Sequence, residues 1–69
     1  MMYLFKLHYF DQYGEFLYDR TESLPCKDSV DVKTYVCEHL WDNSPLGVTP
    51  SYCCAVPLDS GDPVLVGWQ

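Results

Sequence analysis

Basic residues are scarce in this chain: four Lys and Arg stand against ten Asp and Glu, a net charge of −6 over 69 residues. Such a surplus repels a phosphate backbone, so direct binding of DNA or RNA is disfavoured. Long apolar runs are missing too. Residues 1–10 are largely apolar, but Lys6 and His8 interrupt them, and nothing approaches the roughly 18 apolar residues of a membrane span. No small-residue cleavage site follows, so a cytoplasmic protein is expected. Glycine is sparse as well; Gly14 and Gly61 fall in turn contexts, and there is no glycine-rich loop of the kind that cradles phosphate. Neither a low-complexity tract nor a repeat beyond two hairpin-like segments is found. Without a Ser-His-Asp order or a paired-carboxylate signature, no enzymatic activity is expected.

What the chain does contain is apolar and aromatic mass, 48% and 16% of its residues, well outside the profile of disordered chains. Its length fits one domain over residues 1–69. A chain of this size buries only about 60% of its unfolded surface, which predicts marginal stability and little core to spare for a catalytic cleft.

The longest periodic stretch runs from Asp28 to Asn43 and predicts a helix. Asp28 or Ser29 can cap the first free amides, Asp31 suits the positive end of the helix dipole, and Pro45 stops propagation. At about 100° per residue, Val32, Val36 and Leu40 stack on one line, flanked by Cys37 on one side and by Tyr35 and His39 on the other. That stripe must face a core. A second line holds Asp31, Tyr35, Glu38 and Asp42, at spacings of four, three and four, and should face water or a partner.

Residues 1–10 alternate, with Tyr3, Phe5, Leu7 and Tyr9 on one face, and predict a strand. After the turn residues Asp11 to Gly14, Glu15 to Thr21 reads as the return strand of a hairpin with a two- or four-residue loop. Either loop places Phe16 and Tyr18 with Phe5, Leu7 and Tyr9 on the core face, and Lys6, His8, Glu15, Leu17 and Asp19 on the other. Pro25 restricts the way into the helix. Ser51 to Leu58 predicts a third strand that sits at an edge or ends at Pro57. The cluster 59–63 predicts a turn, and Val64 to Trp68 a fourth strand. The expected fold is thus α+β, in ββαββ order, a four-stranded antiparallel sheet with one helix on one face. Which edges join the two hairpins stays open.

Cys26, Cys37, Cys53 and Cys54, with His8 and His39, offer the ligand types of a zinc site, but not its spacing. Cys37 and His39 diverge by about 200° on a helix, and Cys53 and Cys54 point to opposite strand faces. Reduced cysteines acting as small hydrophobes are the leading reading, ahead of a disulfide framework; neither metal nor cofactor is expected. The divergence of Cys37 and His39 also argues against a thiol nucleophile with its base. His8 reads as a solvated strand residue.

The acidic line of Asp31, Tyr35, Glu38 and Asp42 is the candidate partner-binding site. As the ordinary polar face of an amphipathic helix it would need no further explanation, yet only Lys27 and Lys33 lie near enough in sequence to relieve its repulsion. A small acidic binding protein is therefore expected, one that occupies a basic surface of a protein partner, such as a nucleic-acid-binding complex, with carboxylates where phosphates would lie. In size and acidity the chain resembles the small phage-encoded inhibitors of host defence, among them anti-CRISPR proteins, some of which mimic nucleic acid. That resemblance is one of profile and carries no site residues. Two alternatives stand beside it: a homo-oligomer using Phe10, Tyr13 and Trp41 as an exposed aromatic patch, and a small metal or thiol protein.

Overall fold

In a computed structural model, residues 1–41 and 49–67 are described. Four strands and a helix follow in the order β1 (Tyr3–Phe10), β2 (Phe16–Leu24), α1 (Ser29–His39), β3 (Tyr52–Pro57) and β4 (Val64–Gly67). The strands form one antiparallel sheet in the order β2-β1-β3-β4. The two hairpins therefore join through β1 and β3. β3 lies between β1 and β4 and ends at Pro57, and just past it the Leu58 amide still donates to the Leu4 carbonyl of β1 at 3.0 Å.

Alternation along β1 buries Phe5, Leu7 and Tyr9, each at most 1% exposed. Opposite them, β3 contributes Cys53 and Ala55, and β4 contributes Val64 and Val66. From α1 come Val32 and Val36, with Leu40 at its C-cap. The apolar stripe read from the sequence is thus the face that meets the sheet. Its nearest strand is β4.

The hairpin departs from expectation in an instructive way. Asp11 and Glu15 close a three-residue loop, with the Gly14 amide donating to the Asp11 carbonyl and Gly14 at φ +81°. This is a type I turn followed by a left-handed glycine. An odd loop reverses the face of every residue after it, so Phe16 pairs with Phe10 and leaves the core, 55% exposed. A bulge at Leu17 then reverses the parity again: Tyr9 pairs with Tyr18, and their rings stack at 4.6 Å. The expected face was therefore correct for Tyr18 and Asp19 and wrong for Phe16. β2 also runs to Leu24 instead of stopping at Thr21, because pairing continues as far as Tyr3 and buries Leu24 completely.

Helix α1 is shorter than the periodicity suggested, closing at Leu40, whose amide still donates to the Val36 carbonyl while φ and ψ are −122° and 7°. Leaving the helix here turns Trp41 into the core, 1% exposed, with its indole N–H donating to the Pro50 carbonyl at 3.0 Å. Its ring meets Tyr9 edge-on at 6.3 Å. Trp41 is consequently not part of an exposed aromatic patch: an indole offers more apolar area to a small core than any other side chain, provided its N–H finds an acceptor. The Pro45 stop signal and the last residue assigned to the fourth strand, Trp68, lie outside the described residues. No helix among the described residues is long and apolar enough to cross a membrane.

Candidate protein-binding face on the helix

The acidic line depends on how α1 is held. Asp28 caps the helix, its carboxylate accepting from the Val30 amide at 3.1 Å and its carbonyl from the Val32 amide at 2.9 Å. Val32 and Val36, both fully buried, fix the roll of the helix about its axis. Asp31 and Glu38 are then left exposed on the outer side, about 10 Å apart along the axis at 1.5 Å per residue. Asp42, the fourth residue of the line, lies outside the described residues.

Tyr35 stands between them, half-buried against the core. Its ring meets that of His39 at 4.6 Å, and His39 Nε2 lies 3.9 Å from a Glu38 carboxylate oxygen. Tyr35 is thereby a stiff aromatic ledge, and His39 packs on this ledge with no link to Cys37. Burial raises the Cys26 thiol above its usual range, with help from the nearby Asp31 and Asp28 carboxylates; their field reaches the foot of the helix.

Pairing elsewhere sharpens the imbalance. Three of the four basic side chains are engaged with carboxylates: Lys6 with Asp19 at 3.7 Å, Arg20 with Glu22 through Nε at 2.7 Å, and Lys27 with Asp59 at 3.1 Å. Lys27 also lies over the Tyr3 ring, 5.7 Å from its centre. The Ser60 amide, then the Lys27 ammonium, hold the Asp59 carboxyl below its usual range. Of the two lysines near enough in sequence to neutralise α1, Lys27 is thus turned away toward the β3–β4 turn. Lys33, exposed, forms no ion pair with a described residue.

The cysteines do not converge. Cys53 is buried opposite Tyr9, while Cys54 faces the other side opposite His8. Burial pushes the Cys53 thiol up to about 12. Cys26 and Cys37 are half-buried against the core, all four thiols are free, and His8 lies beside Asp19 at 4.0 Å. Among the described residues no three His, Cys, Asp or Glu side chains gather to hold a metal ion.

One surface escaped the sequence reading. The sheet side away from α1 carries Leu4, Phe10, Phe16, Tyr52 and Leu65, four of them between 42% and 64% exposed. Its extent was hidden by the parity of the hairpin. The signal that could have revealed it is Asp11-Gln12-Tyr13-Gly14, since an Asp at the start of a type I turn and a Gly three residues on favour the three-residue loop.

Compared with family models, with curated proteins and with solved structures, the chain matches none. The class that can be stated is the architecture: a four-stranded antiparallel sheet with one helix, bearing a surplus of carboxylates.

Proposed function

We propose that this is a small acidic binding protein of the cytoplasm that occupies a basic surface of another protein, of the kind that otherwise holds nucleic acid, and thereby acts as an inhibitor. The phage-encoded inhibitors of host defence, anti-CRISPR proteins among them, are the functional setting this reading points to. Asp31, Tyr35, Glu38 and Asp42 carry the contact, and no catalytic step is assigned.

The observation that supports the reading is the distribution of the cations. With Lys6, Arg20 and Lys27 engaged elsewhere, Asp31 and Glu38 stand on a helix where Lys33 is the one Lys or Arg without an ion pair to a described residue, and His39 is the basic side chain beside Glu38. At about 10 Å apart the two carboxylates repel each other only weakly, and both are left to meet a docking basic surface. Holding the charges on a helix reduces the ordering entropy that flexible loops would lose on binding, and Tyr35 adds the kind of stiff amphipathic contact that binding hot spots favour.

Capture from a cell lysate tests it. The parent chain should retain a nucleic-acid-binding protein that is released by added salt and by competing duplex DNA, because exposed charge pairs are screened over about 10 Å at 0.1 M salt. Reversing Asp31, Glu38 and Asp42 together to Lys should abolish capture while circular dichroism stays unchanged. A folded triple variant that binds the same protein as tightly as the parent refutes the assignment.

A further inference from the structure

We propose that the open face of the sheet is the interface of a homodimer. This surface lies opposite α1 and is independent of the acidic line.

On most sheets with a helix on one side, the second side is polar and wet. Here β1, β2, β3 and β4 turn Leu4, Phe10, Phe16, Tyr52, Val56 and Leu65 outward, and Leu65 and Phe16 keep more than half of their surface in water. Phe16, Phe10 and Tyr52 make one continuous row across three strands, with Phe10 and Phe16 edge-on at 6.0 Å. Tyr52 extends that row over Gly67, where an added Cβ would lie 3.9 Å from its ring. Four strands about 4.8 Å apart and some six residues long give a face of roughly 20 by 20 Å. Two such faces in contact bury roughly 800 Å² in total, the low end of protein interfaces, which fits a weak dimer that forms as concentration rises.

Charge selects the occupant. The whole chain carries −6, so two copies repel each other over most of their surfaces. The open face is different: its charged groups are Lys6 and Asp19, paired at 3.7 Å, with His8 beside Asp19. Each copy therefore brings one cation and one carboxylate, and a two-fold mate offers the opposite sign to both, as an isologous contact requires. The carboxylates of α1 and of the β3–β4 turn lie away from this face, where a dimer leaves them in water. A domain of this size, with no disulfide among the described residues, also gains the stability that small scaffolds commonly draw from association.

Sedimentation equilibrium on the full chain, from low to several hundred micromolar and in moderate salt, should show a rise from 8.0 kDa toward twice that mass. Added salt should strengthen the dimer by screening net repulsion, opposite to its effect on a basic partner. Leu65→Glu and Phe16→Glu, both at exposed positions, should each raise the dissociation constant at least tenfold, whereas Glu38→Lys should leave it within twofold. Maleimide labelling gives a check without substitution: Cys54, in mid-face, should react several-fold more slowly as concentration rises, while Cys37 keeps its rate. A mass of one chain throughout, or a dimer indifferent to both Glu variants, overturns the proposal. So does Cys54 labelling that is independent of concentration, which would leave the face to a partner of other chemistry.

Discussion

Replacing Trp41 by Phe probes how this small core is closed. The substitution keeps an aromatic ring at a site only 1% exposed, but removes the donor that meets the Pro50 carbonyl at 3.0 Å. Pro50 is itself fully buried, so its carbonyl would lose a partner that water cannot readily replace, a cost of about 1–3 kcal/mol. The missing second ring leaves a void worth about 1 kcal/mol more, at roughly 24 cal/mol per Å³. Together these take about 2–4 kcal/mol from a 69-residue domain whose whole stability is about 3–10 kcal/mol. Since 1 kcal/mol moves the melting temperature of such a domain by about 4–8 °C, the variant should melt roughly 8–30 °C lower. Thermal unfolding followed by far-ultraviolet circular dichroism measures this directly. A Trp41→Phe protein melting within about 3 °C of the parent would refute the view that the indole and its hydrogen bond to Pro50 close this core.

Val36→Asp should unfold the domain, because an unpaired carboxylate would be buried at the centre of the helix stripe, while Glu38→Lys on the exposed side should leave the melt nearly unchanged; equal tolerance of the two would mean that the roll of α1 is wrong. Asp28→Ala removes the cap from the Val30 amide and should cost about 1 kcal/mol, read as a lower denaturant midpoint with an unchanged slope. Stability should also fall in alkali. Burial pushes the Cys53 thiol up to about 12 and raises the Tyr9 phenol as well, so the unfolded chain releases these protons at lower pH than the folded one. The stabilisation from keeping Cys53 neutral is complete below the ordinary thiol value of 9.0 and is lost as pH climbs toward 12. Chemical denaturation from pH 7 to 11 should give a plateau followed by a decline that Cys53→Ala makes shallower; an equal slope in both proteins counts against this cause.

Much of this architecture was legible in residue order. Strict alternation from Tyr3 to Tyr9 and the four-residue spacing of Val32, Val36 and Leu40 state which side of each element is apolar, and both sets face the core as read, Tyr3 partly buried and the rest buried. Local periodicity determines this because a strand repeats every two residues and a helix every 3.6. The same spacing placed Asp31 and Glu38 outward, since burying one helical line exposes the line opposite. Count-based reading failed where a single residue changes parity. The three-residue loop ending at Gly14 and the bulge at Leu17 each reverse the strand faces, so Phe16 moved to the open side while Tyr18 stayed inside. Those choices rest on the backbone conformation of individual residues, to which hydrophobic alternation is blind.

Tertiary packing decided the rest. Nothing in the immediate neighbourhood of Trp41 distinguishes an exposed helix residue from a core residue; the Pro50 carbonyl that receives it lies nine residues on, and the Tyr9 ring comes from the first strand. The joining of the hairpins through β1 and β3, and with it the breadth of the open apolar face, likewise depends on which edges find each other in space. Lys27 shows the same for charge: beside the helix in sequence, it is drawn across the fold to Asp59. Composition set the acidic surplus of this protein, but only the folded chain settled which carboxylates were left with a cation.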